Sequence, residues 1–468
     1  MVGQVSQMLM GVIDSAMIGH AGTVPLAASA FGNNIFSIFY IFGIGLMLPV
    51  SIFVARSRGA RQPAEAAQYL RHGLALAVVF GLLEMLAMFA LGTQLHRFGQ
   101  PPEVLAIVKP FYLLFAASIT PVFVYLVLRQ FAEAMGHPWV PMFLMLASVG
   151  LNALLNWIFI YGNLGAPVLG LTGAGISTLI SRTVGALAIF LWLGRFPAVR
   201  AAWPRWAAQP GAVAPGEAGP ETPAEMPPAG AGPARPTERR GWFAPLSRER
   251  LGEMFRVGLP ASGMLLFESS AFAFSGIMVG WLGAVPLASH QIAMTCASLA
   301  FMFPLGLSIA AGMRVSHAVG ADERARLRPI AFGAIALGVV VMTVFAVAFG
   351  AGGRLIASWF VPDATVIALA SRLLVVAAVF QLADGVQVIA AAALRGITDV
   401  KVPAAITLVA YWGIALPLGY ALGIAGPWGA PGVWAGIAGG LAFAAMFLTV
   451  RYARLTRESA LGEKPFSP

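Results

Sequence analysis

The chain carries one sequence pattern twice, 261 positions apart. Residues 19–27 read GHAGTVPLA and residues 280–288 read GWLGAVPLA. The same separation relates three later pairs, namely Gly45 and Gly306, Gly59 and Gly320, and Ala60 and Ala321. Self-similarity at one fixed separation indicates a duplicated architecture. We therefore expect the two halves of the chain to fold alike.

The composition indicates that both halves lie in a lipid bilayer. Hydrophobic residues make up 59% of the 468 residues, charged residues make up 10%, and the mean hydropathy is +0.82. A helix needs about 20 mostly apolar residues to cross a bilayer. Twelve such stretches occur, near 1–18, 28–55, 72–96, 107–134, 139–161, 167–194, 254–279, 288–313, 329–350, 365–394, 402–424 and 430–450. Since they are continuous rather than alternating, the sequence predicts an all-α polytopic membrane protein.

An even number of helices in each half makes the two halves parallel repeats. They are predicted to be related by an axis along the membrane normal, with a substrate path between them. The predicted parts are an N-terminal lobe at 1–197, a linker at 198–247, a C-terminal lobe at 248–454 and a tail at 455–468. The linker is rich in Pro, Ala and Gly, which predicts a disordered tether, with a regulatory role as the alternative. Helix 1 lacks the opening turns of its counterpart, so we expect a truncated or misassigned start.

The net charge of +10 has a topological explanation. Most of the 29 Lys and Arg residues fall on one side of the predicted helices, and the positive-inside rule then places both termini and the linker in the cytoplasm. We expect a monomeric, multi-pass protein of the inner (plasma) membrane and no nucleic-acid partner. The only cysteine, Cys296, lies in a predicted membrane helix, which excludes a disulfide framework.

Ionisable groups deep in apolar helices are costly and point to function. Five acids qualify: Asp14, Glu84, Glu133, Glu268 and Asp384. Glu133 follows Arg129 by four residues, a spacing that favours a structural ion pair. Glu84 has no partner at helical spacing, and its role stays open.

The repeat offset shows that the remaining acids do not correspond. It aligns Gln7 with Glu268 and Asp14 with Ser275, so each half has a polar pair at equivalent depth but a carboxylate at a different place. Such carboxylates can exchange a proton or Na⁺. The alternative for each of them is a hydrogen bond between helices.

Two further polar stripes accompany these acids. Gln381 lies one turn before Asp384 on helix 10, and Asn152 lies between Ser148 and Asn156 on helix 5. Each lobe is therefore predicted to hold its own polar set.

Four segments resemble the multidrug and toxic compound extrusion (MATE) transporters, in particular their NorM-type bacterial branch. They are GQVSQMLMGVIDSAMIGHAG, LRQFAEAMGHPWVP, LNALLNWIFIYG and FQLADGVQVIAAAALRGITDVKVP. The resemblance spans the chain except for the linker and the tail. It implies two six-helix lobes, no enzymatic activity, no cofactor, and export of amphipathic, often cationic drugs in exchange for Na⁺ or H⁺.

The resemblance also assigns a cation or proton site. Glu268 and Asp384 match the coupling pair of that branch, with Na⁺ as one candidate ion, while Asp14 and Asn152 match a second polar site in the first lobe. A tyrosine sometimes found one turn before the helix 10 acid is Phe380 in this chain, which removes one oxygen ligand for Na⁺.

Other classes of protein fit the sequence less well. An ATP-driven pump needs a GxxxxGK[ST] loop, which is absent from the sequence. The six histidines are scattered rather than grouped as a membrane-embedded hydrolase requires. The alternative that stays open is a lipid-linked precursor flippase of the same superfamily, although those proteins typically have two more helices and a basic central cavity. Small organic cations or drugs and membrane lipids are the expected partners.

Overall fold

A computed structural model describes residues 2–98, 101–195 and 245–460. Residues 198–244 of the predicted linker and residues 461–468 of the predicted tail lie outside this range. The first six helices are α1 (Val2–His20), α2 (Val24–Gly59), α3 (Pro63–Gly92), α4 (Pro102–Ala134), α5 (Trp139–Phe159) and α6 (Gly170–Leu193). The next six are α7 (Arg248–Gly280), α8 (Ala284–Gly320), α9 (Arg324–Ser358), α10 (Ala364–Gly396), α11 (Lys401–Gly423) and α12 (Ala430–Ala460).

The predicted all-α membrane architecture is confirmed. Within the described residues, α2 to α12 are the 11 helices that are long and apolar enough to cross a membrane, and no strand is present. The 19-residue helix α1 completes a set of six on each side of the linker. The last helix continues to Ala460, so residues 455–460 are helical.

Helix ends follow local chemistry. Helix α7 begins where the Ser247 side chain accepts a hydrogen bond from the backbone N–H of Arg250 at 3.4 Å. Helix α10 begins where Asp363 accepts one from the N–H of Thr365 at 2.8 Å. Both side chains satisfy backbone donors that the first turn of a helix leaves without a partner.

Three helices depart from regular α geometry. Helix α2 is interrupted at Leu48, directly before Pro49, which cannot donate a backbone hydrogen bond, and helix α4 is interrupted at Ser118. Helix α11 is π-helical over Val409–Ala415, directly before Pro417. Single π-helical turns are frequent at functional sites, and this one contributes a side chain to the site described below.

The two lobes meet along α2, α7 and α8. The Ser262 hydroxyl of α7 donates to the backbone carbonyl of Phe42 at 2.8 Å, and the Ser316 hydroxyl of α8 donates to that of Ile52 at 2.6 Å. Phe42 lies at the middle of α2, and Ile52 lies towards its end at Gly59. The lobes are therefore joined on the side of the bundle at which α2 and α8 end.

Candidate functional site

In the N-terminal lobe, α5 supplies the amide partner of a carboxylate on α1. Asn156 donates from Nδ2 to Asp14 Oδ1 at 2.5 Å and lies 3.3 Å from Asn152 Oδ1. Both asparagines are fully buried. The structure thus brings together the predicted residues Asp14 and Asn152, and it adds Asn156 as the direct partner of the carboxylate.

This carboxylate lines a cavity of about 390 Å³ that is formed by helices of the N-terminal lobe. The opposite charge in the cavity comes from Arg182 on α6, which donates to the Ser118 hydroxyl at 2.6 Å. The guanidinium carbon also lies 4.8 Å and 4.6 Å from the ring centroids of Phe36 and Phe115. A cation over an aromatic face is stabilised by the ring quadrupole. The cavity therefore contains a negative group, a fixed positive group and apolar walls.

In the C-terminal lobe, α7 and α10 bring two carboxylates together. Glu268 and Asp384 interact electrostatically, and the Tyr411 hydroxyl on α11 lies within the field of both. Asp384 and Tyr411 are buried. The repulsion between two carboxylates in apolar surroundings favours a proton or a cation at this pair, and the Arg395 guanidinium on α10 also acts on Glu268.

Several polar atoms around Asp384 have no hydrogen-bond partner among the described residues. They are Asp384 Oδ1, both amide atoms of Gln381, Gln387 Oε1 and the Tyr411 hydroxyl. Buried polar groups are nearly always hydrogen-bonded, so a group of unsatisfied ones indicates a place for a ligand. Carboxylate, amide and hydroxyl oxygens suit a small hard cation. In the part of the chain that the structure describes, no cluster of three or more His, Cys, Asp and Glu residues offers a different metal site.

The other predicted site residues lie apart from this group or make local contacts. Ser275 donates to the Phe272 carbonyl at 2.7 Å within its own helix. Phe380 packs on Trp434 with ring centroids 5.4 Å apart. The side chain of Gln7 lies outside the described residues, and the structure does not assign it a contact.

The two remaining buried acids behave differently. Glu133 accepts from Arg129 Nε at 2.7 Å, so the predicted i,i+4 ion pair is formed, with side chains only 15% and 12% exposed. Glu84 is buried, and its Oε2 has no partner among the described residues.

Sequence reasoning noted Asn156 only as part of a polar stripe and missed two further members of these sites. Asn156 had a signal, since it extends the four-residue stripe of Asn152. Tyr411 is one of two tyrosines in a mostly aliphatic helix, and Arg182 is a charge in the middle of an apolar one. Such residues can be noticed in a sequence, but the direction in which each side chain points depends on how its helix is rotated in the bundle.

Comparisons with known proteins agree with this architecture. The profile of the MatE family matches residues 1–158 and 260–421, one stretch in each lobe. "Probable multidrug resistance protein NorM" of Mesorhizobium japonicum is 32% identical over 462 residues, covering 96% of this chain and 91% of that protein. "Multidrug resistance protein NorM" of Burkholderia vietnamiensis is 31% identical over 463 residues, with the same coverage of 96% and 91%. A crystal structure of MATE in the straight conformation superposes with a TM-score of 0.82 at 23% identity, covering 99% of this chain and 94% of that one.

Proposed function

Since the chain belongs to the MatE family, we propose that it is a secondary active multidrug efflux antiporter that exports amphipathic, often cationic compounds in exchange for Na⁺ or H⁺. The observation that carries this proposal is the pairing of Glu268 and Asp384 beside unsatisfied buried oxygens. Deeply placed carboxylates of this kind mark ion or proton pathways in membrane proteins. The names of the relatives support the drug class of the substrate.

Coupling requires that ion and drug favour different conformations. A ligand shifts a conformational equilibrium only by the difference between its affinities for the two states. In the proposed mechanism, a cation or proton that binds at Glu268 and Asp384 in the outward-facing state displaces the drug and then shifts the equilibrium towards the inward-facing state. Asp14 with Asn156 and Asn152 forms a second polar site that attracts the positive charge of the drug.

The contacts between the lobes support an outward-facing state. Ser316 and the close packing of Gly320 on Arg56 hold α8 against α2 on the side where α2 ends. The positive-inside rule assigns this side to the cytoplasm, because Arg56 and Arg58 lie in the last turn of α2. We therefore propose an inner-membrane protein, monomeric, with both termini and the linker in the cytoplasm and lobes at 1–197 and 248–454.

One observation favours the alternative of a flippase for an anionic lipid-linked precursor. Arg182 places a positive charge in the cavity of the N-terminal lobe, and its contacts with Phe36 and Phe115 hold it there. A cavity that contains a fixed positive charge accepts an anionic group more readily than a cavity lined only by acidic groups does. Substrate charge therefore separates the two functions.

Efflux of a fluorescent cation from proteoliposomes under an imposed Na⁺ or pH gradient tests the proposal. We expect uphill dye movement under one of the two gradients, and the effective gradient identifies the ion. Glu268→Gln and Asp384→Asn are expected to abolish uphill movement. Glu103→Gln, an exposed acid at the start of α4, is the matched control and should transport normally. Absence of dye transport together with movement of an anionic lipid-linked substrate would instead support the flippase.

A further inference from the structure

A second cavity lies between the lobes, where α2 and α4 of one lobe face α8 and α9 of the other. Its volume is about 760 Å³, and its charged lining comprises Arg58, Arg129, Arg314, Arg326, Glu133 and Glu323. Since α2, α4 and α8 end at Gly59, Ala134 and Gly320, the cavity lies near the membrane surface. With His317 neutral, four arginines and two glutamates leave an excess of positive charge.

Two of the four arginines are neutralised within their own lobes. Arg129 pairs with Glu133 at 2.7 Å in the N-terminal lobe. Arg326 pairs with Glu323 at 2.8 Å in the C-terminal lobe. The excess charge therefore resides on the other two arginines, one from each lobe.

These two arginines have no acidic partner. Arg58 donates from Nη1 to the backbone carbonyl of Ala134 at 3.1 Å, and within the described residues Arg314 makes no hydrogen bond or ion pair. Gly136 shapes the loop around Arg58: its φ of +88° suits glycine, and a Cβ there would lie 2.7 Å from the same Nη1. One guanidinium is thus held in place by backbone, and the other is free to close on a ligand.

We propose that this cavity binds the phosphodiester headgroup of an anionic phospholipid. Basic pockets between transmembrane helices on the cytoplasmic side bind such headgroups, and guanidinium groups match phosphate oxygens in geometry and charge. A headgroup between Arg58 and Arg314 offsets the repulsion of two like charges that the lobes bring together. Because it contacts both lobes, it stabilises the conformation in which this side is closed.

The assignment of the cavity to the cytoplasmic leaflet rests on the proposed function and its orientation, but lipid binding can be measured without transport. The probe is a short-chain phosphatidylglycerol titrated against the full-length protein in neutral detergent. The variants are Arg58→Gln/Arg314→Gln and Arg58→Lys/Arg314→Lys. Arg354→Gln is the control, since this arginine is exposed near the opposite end of α9.

We expect the double glutamine variant to bind phosphatidylglycerol about 25-fold more weakly, from about five-fold for each basic side chain lost at an anionic headgroup. The double lysine variant should lose less than the double glutamine variant, because it keeps the charge but not the guanidinium geometry, and Arg354→Gln should leave the affinity unchanged. Phosphatidylcholine of equal chain length should bind all proteins alike, and millimolar inorganic phosphate should not displace the anionic lipid.

Equal phosphatidylglycerol affinity in the native protein and the double glutamine variant would overturn the proposal, as would an equal loss in Arg354→Gln. Inorganic phosphate that binds as tightly as the lipid would overturn the lipid assignment. Dye efflux by the native protein in phosphatidylcholine vesicles tests the proposed function separately. Its failure, with lipid binding intact, would contradict the transport proposal alone.

Discussion

Gly59 and Gly320 occupy equivalent positions of the two halves, and each packs on the backbone of the opposite half. A methyl group at Gly59 would overlap the carbonyl oxygen of His317, and one at Gly320 would overlap that of Arg56. Arg56 and His317 are themselves related by the repeat offset. The duplication seen in the sequence is therefore present as a symmetric crossing of α2 and α8, which closes one side of the molecule.

Alanine at either glycine should weaken this crossing. Both contacts are with backbone, which cannot rotate away, and overpacking of this kind typically costs about 1 to 3 kcal/mol. We expect Gly59→Ala and Gly320→Ala to lower the thermal unfolding temperature of the purified protein. Gly333→Ala is the control, because no atom lies within 4 Å of the added Cβ and alanine favours the helix. An unfolding temperature as high in the two variants as in the control would show that the crossing is loose.

Arg129 and Glu133 should stabilise the protein only when both residues are present. Removal of one partner leaves a largely buried charge uncompensated, at a cost of about 3 to 5 kcal/mol for a fully buried pair and less here, because the side chains keep 12% and 15% exposure. Arg129→Gln and Glu133→Gln should each lower the unfolding temperature more than the double variant does. Additive effects in this double-mutant cycle would contradict the interaction.

Acid should weaken the start of α10. The Asp363 carboxylate accepts hydrogen bonds from the Thr365 hydroxyl at 2.6 Å and from the Thr365 and Val366 backbone N–H groups at 2.8 and 3.3 Å. These bonds lower the pKa of Asp363 below its usual value. Its stabilisation is thus complete above the unfolded pKa of about 3.9 and is lost as the pH falls through the lowered value.

The measurement is the unfolding temperature between neutral and acidic pH. The native protein should be more stable than Asp363→Ala at neutral pH, and this difference should shrink in acid. Asp363→Asn keeps an acceptor without a titrating group, so its difference from Asp363→Ala should not depend on pH. A native advantage that persists unchanged in acid would contradict the role of the carboxylate.

The helices were predictable because hydrophobicity along the chain directly reports which segments enter lipid. The helix ends were less predictable, since α2 continues to Gly59 and α12 continues to Ala460, beyond their apolar stretches. The resemblance assigned Asp14 and Asn152 to one site, and in the structure Asn156 donates to Asp14 and lies against Asn152. A shift of one helical turn decides which amide reaches the carboxylate, and helix packing rather than composition sets that shift.

In the C-terminal site, too, the sequence did not predict which side chains meet. The repeat offset predicted Ser275 as part of a polar pair with Glu268, and in the structure the Ser275 hydroxyl donates to the Phe272 carbonyl within α7. Tyr411 instead interacts electrostatically with Glu268 and Asp384 from a π-helical segment, whose extra residue per turn rotates the side chains that follow it. Irregular helix geometry of this kind is a result of the tertiary fold.

Removal of the positive charge from the N-terminal cavity should favour cationic ligands. Two unit charges roughly 10 Å apart interact by about 1.7 kcal/mol at an effective dielectric constant of about 20, which is more than tenfold in affinity. Arg182→Gln should therefore bind a permanently charged organic cation about tenfold more tightly, as measured by calorimetry. A neutral analogue of equal size should bind the native and variant proteins alike. Unchanged affinity for the cation would place the ligand outside this cavity.

In the proposed mechanism, Glu268 and Asp384 of the C-terminal lobe couple ion binding to drug transport. Dye exchange without a gradient and dye accumulation against a gradient can be compared in the same proteoliposomes for the native protein, Glu268→Gln and Asp384→Asn. We expect the variants to retain exchange, because the proposed drug site in the N-terminal lobe is intact, and to lose accumulation. Gradient-driven accumulation at the native level in both variants would contradict the assignment of Glu268 and Asp384.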